Sequence, residues 1–235
     1  MKNLRRHAEM LGLSLSDKTV SAFETYFEML IKKNEVMNLT SITDPDEAEL
    51  LHFTDSISLL SLMQLPEGAS VIDIGTGAGF PGIPLKLVRP DLQVTLLDSL
   101  NKRVLFLQEV ISRLRLTGIS AIHGRAEDAA REKEYRDRYD FAVSRAVART
   151  GTLVEYALPF VAPGGCFIAY KSGDIAEEAS EAENAIRLLK GESEPTLTLT
   201  LPESDVRRSF LVIKKTGPTP KRFPRKAGTA KREPL

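Results

Sequence analysis

The sequence predicts an α/β fold, a doubly wound and mostly parallel sheet, for most of its 235 residues. From residue 70 onward, short apolar segments alternate with helical patterns. That order is typical of parallel strands joined by right-handed crossovers and covered by helices on both faces. A helical extension precedes this region. Two adjacent strand patterns end it, which predicts an antiparallel pair at the sheet edge.

The extension contains two predicted helices. Residues 16–37 place apolar side chains on one face at helical spacing, with an N-cap at Ser16 or Asp17. The second helix is predicted to begin after the N-cap Asp44, with Pro45 at its first position and Glu47 at capping-box spacing, and to end near Met63. We therefore expect an N-terminal helical lobe packed on the core.

The remaining elements follow in a regular order. Strands are predicted over 71–74, 93–98, 119–124, 139–144 and 166–171, helices near 81–89, 101–115, 151–160 and 174–190, and the final strands over 196–201 and 209–215. These patterns divide the chain into a lobe over 1–66, a core domain over 67–215 and a basic tail over 216–235.

A glycine-rich loop follows the first strand, in the stretch "VIDIGTGAGFPG" at 71–82. Missing side chains and outward-facing N–H groups let a ligand approach such a loop closely. The dinucleotide fingerprint G-x-G-x-x-G is broken, because Phe80 stands where it needs glycine, and no P-loop lysine follows. The pattern D-x-G-x-G-x-G instead resembles the first motif of class I methyltransferases that use S-adenosylmethionine.

Three later features agree with that cofactor. Asp98 ends the second strand, where a carboxylate can accept hydroxyls of a ribose. Ala126 and Glu127 follow the third strand, where an adenine ring would lie. The turn "PGG" at 163–165 precedes the fifth strand, as it does in such methyltransferases. Each feature is weak alone, but their order and spacing together are specific.

Longer motifs make the resemblance closer. They are "NEVMNLTSITDPDEAELLHFTDSI" at 34–57, "DIGTGAGFPGIPLKLVRP" at 73–90, "VTLLDSLNKRVLFL" at 94–107, "GRAED" at 124–128, "VSRAVA" at 143–148 and "RFPRKAGTAKREPL" at 222–235. With these motifs the chain resembles the bacterial glucose-inhibited division protein B family, guanine-N7 methyltransferases of 16S ribosomal RNA. The tail and the "DSLNKR" run are its most specific parts.

The resemblance implies which residues contact the cofactor. They are Gly75, Phe80, Asp98, Ser99, Leu100, Ala126, Glu127 and Arg145, and the backbone argument adds Gly77. Core packing is a competing interpretation for Phe80, as a structural ion pair is for Arg145.

The implied reaction does not require the protein to act as an acid or a base. Guanine N7 has a lone pair and carries no proton, so we expect no indispensable general base. The enzyme would orient the two substrates, exclude water and stabilise the positive charge that moves from sulfur to the base. No catalytic residue is assigned. Cys166 lies within a predicted strand and is interpreted as a small buried hydrophobe. Three scattered histidines give no metal-ligand spacing, so no metal is expected.

The RNA partner is harder to locate in the sequence. Net charge is zero, which argues against binding by bulk charge. The candidates for phosphate contacts are Lys102, Arg103, Lys171, Arg225 and Lys226. A solvated, partly disordered tail is an equal alternative for the last two. His52 and Asp55 either face the cleft or form a satisfied polar patch.

Other functions stay open at this point. The chain could methylate a small molecule or a protein, or retain the fold as a non-catalytic binding module, and a nicotinamide dehydrogenase is disfavoured by Phe80. With one cysteine, no signal-like start and no membrane-length apolar run, we expect a cytoplasmic protein without membrane contact. We also expect a monomer whose partner is 16S RNA, the small ribosomal subunit or its assembly intermediate.

Overall fold

The computed structural model describes residues 1–235 and is built around a sheet of eight strands. Their order is β3-β2-β1-β4-β5-β8-β6, with β7 also paired to β8. Strands β1 to β5 run parallel, and β8 runs antiparallel to β5. The strands are β1 Ser70–Ile74, β2 Gln93–Asp98, β3 Ile119–His123, β4 Tyr139–Arg145, β5 Val161–Ser172, β6 Gly191–Ser193, β7 Leu197–Thr200 and β8 Arg207–Lys215. The predicted doubly wound, mostly parallel sheet is confirmed.

Helices cover both faces of this sheet. They are α1 Leu4–Met10, α2 Asp17–Met37, α3 Pro45–Ala48, α4 Asp55–Ile57, α5 Gly82–Val88, α6 Asn101–Arg113, α7 Ala126–Ala129, α8 Thr150–Ala157, α9 Ala176–Glu181, α10 Glu183–Leu188 and α11 Thr229–Arg232. No helix combines the length and the apolar character needed to cross a membrane. Helix α1, the short α7 and α11 were not predicted.

Both predicted caps of the N-terminal lobe are present. The Ser16 hydroxyl accepts the N–H of Thr19 at 3.1 Å, and the Asp44 carboxylate accepts the N–H of Glu47 at 2.9 Å. These bonds satisfy N–H groups that the first turn of a helix leaves free. The start of each helix was therefore readable from the sequence.

The second predicted helix is irregular beyond its first turn. A π-helix covers Glu49–Thr54 between α3 and α4, and a 3₁₀ turn follows at Ser58–Ser61. Side-chain hydroxyls compete for the carbonyls here: Thr54 donates to the Glu49 carbonyl at 2.7 Å, and Ser58 donates to that of Asp55 at 2.7 Å. The single helix predicted up to Met63 is thus wrong in its detail.

The lobe supplies one helical layer of a core that it shares with the sheet. Phe23, Tyr26 and Phe53 are fully buried in the same cluster as Val71 and Val143 of the sheet. The opposite sheet face forms a second cluster with helices α8 and α10. Residues 1–66 are therefore packed as an integral part of the fold.

The antiparallel pair near the carboxyl end of the chain is present as β7 and β8. Both strands were predicted at the sheet edge, and this was wrong for β8. Strand β7 lies at the edge, whereas β8 is interior, since β5 pairs with one of its sides and β6 and β7 with the other. Residues 209–213 of β8 are all buried, as a strand inside a sheet requires. The three-residue strand β6 was not predicted.

The basic tail is packed against helices α7 and α8, so the alternative of a solvated, partly disordered tail is not what the structure has. Phe223 and Ala230 are buried. The Arg225 guanidinium pairs with the fully buried carboxylate of Glu155, at 2.7 Å between Nη2 and Oε2. Composition suggested disorder, but one aromatic anchor and one buried ion pair hold the segment in place.

Candidate active site

The glycine loop follows β1 and packs against Val147 at Gly75 and against Tyr26 at Gly79. Gly75 and Gly77 have φ values of 68° and 62°, which glycine adopts without strain. A Cβ on Gly75 would lie 2.7 Å from Val147 Cγ2, and one on Gly79 would lie 2.5 Å from Tyr26 Oη. A Cβ on Gly77 would meet nothing closer than 4.0 Å. The loop is therefore open to a ligand at Gly77.

This difference gives a prediction. Gly77→Ala should keep the fold at a cost of about 1 kcal/mol, since φ is positive here too, and should weaken binding of S-adenosylhomocysteine about tenfold, because its methyl group enters the open space. Gly79→Ala should destabilise the fold by about 2 kcal/mol or more, because its methyl group overlaps packed atoms at positive φ. Calorimetric affinities and melting temperatures would separate the two effects. Unchanged affinity in Gly77→Ala would contradict an approach from this side.

Asp98 ties the loop to the end of β2. Its Oδ2 accepts the N–H of Gly77 at 2.9 Å, and its Oδ1 accepts the N–H of Leu100 at 2.8 Å. Arg103 Nη1 lies 3.6 Å from the same carboxylate. Ser99 and Leu100 are exposed beside it. The arrangement offers a fixed carboxylate next to an apolar surface, which suits a nucleoside with its ribose hydroxyls and base.

Asp73, beneath the loop, is the first residue of the D-x-G-x-G-x-G pattern but was not among the predicted cofactor contacts. Its Oδ2 accepts the Thr76 hydroxyl at 2.6 Å and the N–H of Gly82 at 2.8 Å. Its Oδ1 is buried without a partner, and burial raises the pKa of this carboxyl to about 6. An orphaned carboxylate oxygen behind the loop favours a positively charged ligand group, such as the amino group of S-adenosylmethionine. The loop residues thus fit that cofactor.

The "AE" pair follows β3 as expected, but its two side chains differ in environment. Ala126 is half-buried at the start of α7. Glu127 is only 4% exposed, and its Oε1 accepts the N–H of Gly228 from the tail at 2.8 Å. The Glu127 carboxylate is therefore committed to the tail, and a ligand would meet Ala126 and the backbone.

Phe80 belongs to the core. Its ring is 6% exposed and stacks on His52 at a centroid distance of 4.5 Å. Tyr26 packs against it at 5.5 Å, and the Arg145 guanidinium lies 5.0 Å from the ring centroid. The competing interpretation of core packing describes the side chain, which supports the loop from beneath.

Arg145 connects this core to a charged cluster. Its Nη1 lies 3.1 Å from Oδ2 of Asp55, which is 2% exposed, and 3.1 Å from the Leu51 carbonyl. Arg208 Nε lies 2.8 Å from the other oxygen of Asp55. The ion pair foreseen as an alternative for Arg145 is present. Arg208, which lies 153 residues from Asp55 in the chain, was missed because no local pattern marks it.

The cluster lines a cleft of about 390 Å³ at the carboxyl ends of β4 and β5. Its walls are Ile42, Leu51, His52, Asp55, Arg145, Ala146, Ala148, Leu153, Tyr170, Lys171, Ser172 and Arg208. Ligands of open α/β sheets bind at this end of the strands. His52 and Asp55, whose orientation the sequence left open, both face this cleft.

His52 is held uncharged. Burial, reinforced by the charge of Arg145, lowers the pKa of its imidazole to about 4. Its Nε2 lies 2.7 Å from the Thr40 hydroxyl, while Nδ1 is buried without a partner. Neutral imidazole is therefore the form present at neutral pH.

A pH dependence of stability follows. A histidine whose pKa is lower in the folded state contributes its full stability above the unfolded pKa of about 6.5. As the pH falls towards 4, this contribution is lost, and the free energy of unfolding falls by at most about 3 kcal/mol. Urea unfolding between pH 7 and 4 should show this loss. His52→Phe, which keeps an aromatic ring on Phe80, should reduce the slope. An identical slope in that variant would contradict the assignment.

The five cations predicted to contact RNA differ in availability. Lys102 and Lys226 are exposed and form no ion pair. Lys171 Nζ lies 2.7 Å from Glu178 Oε1, Arg103 lies beside Asp98, and Arg225 is paired with Glu155. The fold thus leaves two of the five free and uses the others in internal pairs.

The parallel sheet, the open glycine loop, the carboxylate at the end of β2 and the cleft beside them define a class I methyltransferase dependent on S-adenosylmethionine. Solved structures agree on the fold. A methyltransferase described as putative from Bacillus halodurans matches with a TM-score of 0.55 at 12% identity, over 69% of this chain and 99% of that one. The structure of TYW2 from M. jannaschii in complex with AdoMet matches with a TM-score of 0.51 at 15% identity, over 63% and 70%.

Sequence comparison identifies the family. The model of the GidB family, rRNA small subunit methyltransferase G, matches residues 19–207, and the chain belongs to this family. A ribosomal RNA small subunit methyltransferase G from Lachnoclostridium phytofermentans is 51% identical over 96% of this chain and 93% of that protein. A protein of the same name from Desulforamulus reducens is 49% identical over 99% and 97%.

Proposed function

We propose that this protein transfers the methyl group of S-adenosylmethionine to N7 of a guanine in 16S ribosomal RNA. The relatives above are named small subunit rRNA methyltransferases, which supports the RNA substrate. The observation that carries the N7 assignment is the cleft beside the loop: its one carboxylate, Asp55, is held by two arginines. The enzyme would work in the cytoplasm as a monomer on the small subunit or its assembly intermediate.

We assign the cofactor to the loop and the three strand ends beside it. Bound there, S-adenosylmethionine supplies an electrophilic methyl group on a sulfonium. The orphaned Asp73 oxygen suits its amino group, and the Asp98 carboxylate its ribose. The residues proposed to hold it are Gly75, Gly77, Phe80, Asp98, Ser99, Leu100, Ala126, Glu127 and Arg145. Phe80 and Arg145 would act through the packing of the loop, and Glu127 through the position of α7.

The cleft would orient the base and exclude water. N7 has no proton to lose, so the residues around it need only place its lone pair in line with the methyl group. Asp55 is saturated by Arg145 and Arg208, and the uncharged His52 donates or accepts towards Thr40. The N7 reaction asks for no general base from these walls, and their one carboxylate is held by the two arginines. The surrounding arginines favour the negatively charged backbone of RNA.

The RNA backbone would lie along the rim of this end of the sheet. The exposed Lys102 lies in the first turn of α6, and Arg125 and Arg149 are exposed just before α7 and α8. Lys226 is exposed on the tail that packs along those two helices. We propose that these cations contact phosphate.

One substrate substitution tests the proposal. A small subunit reconstituted with RNA in which 7-deazaguanosine replaces guanosine has C–H in place of N7. It should accept no labelled methyl group, whereas the matched subunit with guanosine should accept about one. The methylated nucleotide is then mapped by nuclease digestion and mass spectrometry. Transfer to the 7-deaza substrate would refute the N7 assignment, and no transfer to either would refute the RNA substrate.

A further inference from the structure

The tail is attached to the fold by a series of specific bonds along helices α7 and α8. The Arg136 guanidinium donates to the carbonyls of Thr219 and Phe223, both at 2.9 Å. The Arg225 guanidinium donates from Nε to Oε1 of Glu155 and from Nη2 to Oε2, and Oε1 also accepts the Arg225 backbone N–H. Bidentate pairs with a buried carboxylate are strong and fix direction as well as distance. We name residues 219–232 the C-terminal strap.

The strap ends at the adenine side of the proposed cofactor site. The N–H of Gly228 donates to Glu127 Oε1 at 2.8 Å, and the Thr152 hydroxyl donates to the Ala230 carbonyl at 3.0 Å. The Gly228 N–H is the only donor that the buried Glu127 carboxylate has in the protein. Without the strap, α7 would lose this hydrogen bond and its outer cover, and the Glu127 carboxylate would be exposed to water.

Helix α7 is held by the strap and by the core, in which Ala129 and the following Ala130 are buried. It has four residues, and neither its N-cap Arg125 nor its first turn receives a side-chain capping bond. So short a helix is not stable by itself and takes its position from what packs on it. The position of Ala126, one residue from Glu127, therefore depends on the strap on the outer side of α7 and on the core on its inner side.

We propose that the C-terminal strap positions the adenine-binding edge of the cofactor site by holding Glu127. This inference rests on the cofactor placement proposed above. Glu127 and Arg225 are positioning residues in it: they act through α7 on the ligand. Because the coupling of two binding events is reciprocal, a bound cofactor must stabilise the docked strap to the same degree.

The first test uses the unaltered full-length protein. Amide hydrogen exchange is measured over residues 219–232 with and without saturating S-adenosylhomocysteine. We expect exchange in the strap to slow at least about tenfold when the ligand binds. Unchanged exchange in the strap, with ligand binding verified by calorimetry, would overturn the proposal. If the protein bound no S-adenosylhomocysteine, the cofactor placement itself would fail, and the two failures are thus distinguishable.

The second test loosens the strap at a distance from the ligand. The double variant Arg225→Met with Glu155→Gln removes the ion pair without leaving a buried charge. It is compared with Lys231→Ala with Arg232→Ala, which removes two exposed charges from the strap and keeps its anchors. We expect the first variant to bind S-adenosylhomocysteine about tenfold more weakly, and the control to bind it normally.

The preference for one base over another distinguishes a positioning role of the strap from a general loss of stability. S-inosylhomocysteine differs from S-adenosylhomocysteine only at the base. A loosened strap should reduce the preference for adenine over hypoxanthine, whereas a general loss of stability would weaken both ligands equally. An unchanged preference in the folded Arg225→Met, Glu155→Gln variant would overturn the proposal. Hydrogen exchange in the intact protein decides the matter if that variant does not fold.

Discussion

Gly75→Asp is expected to abolish binding of S-adenosylmethionine while leaving a folded protein. Its Cβ would lie 2.7 Å from Val147 Cγ2, so the segment after β4 must move away from the loop. The new carboxylate also joins a loop that already lies between Asp73 and Asp98. We expect a loss of affinity of at least about 100-fold, or about 3 kcal/mol, by calorimetry with S-adenosylhomocysteine.

Gly164→Asp is the matched control for this variant. Gly164 also has positive φ, 93°, and no atom lies within 4 Å of a Cβ there. It lies in the first part of β5, before the continuous pairing with β4 that begins at Cys166, at the end of the sheet opposite to the glycine loop. The same residue change should therefore leave cofactor affinity within about twofold of the original. Normal affinity in Gly75→Asp would argue against the loop as the cofactor site.

Arg145→Met is expected to have the largest effect on stability. It removes one of two partners of the buried Asp55, a hydrogen bond to the Leu51 carbonyl and the cation above Phe80. Breaking a buried pair from one side costs about 3–5 kcal/mol. Since Arg208 still holds Asp55, we expect the free energy of unfolding, measured in urea, to fall by about 3 kcal/mol. Methyl transfer should be lost as well.

An exposed ion pair calibrates that measurement. Lys33 Nζ lies 2.9 Å from Glu109 Oε1 between α2 and α6, and both side chains are partly in water. Lys33→Met should cost less than about 1 kcal/mol. Equal losses in the two variants would mean that the Arg145–Asp55–Arg208 cluster contributes no more than a surface pair.

Features with a local cause could be predicted from the sequence. The caps at Ser16 and Asp44, the five parallel strands and the carboxylate of Asp98 beside the loop depend on neighbouring residues or on strand order. Hydrophobic spacing and capping chemistry report such features directly. The place of Asp98 at the glycine loop follows from parallel strands ending at the same edge.

Features that need distant residues could not be predicted. Nothing near Arg208 indicates that it will contact Asp55. The tail's composition is typical of disorder, and the decisive Glu155 lies 70 residues from Arg225. Phe80 was assigned to the ligand by position in a motif, yet its neighbours Tyr26 and His52 come from the lobe.

The two short strands beside β8 have a consequence for how the protein behaves at high concentration. Strands β6 and β7 contain three and four residues and lie one after the other along β8, with Glu192 and Glu194 exposed at this edge. A long, continuous edge invites a second molecule to add a strand, and short strands with charged residues prevent it. Aggregation by strand addition is therefore blocked on this side of the sheet.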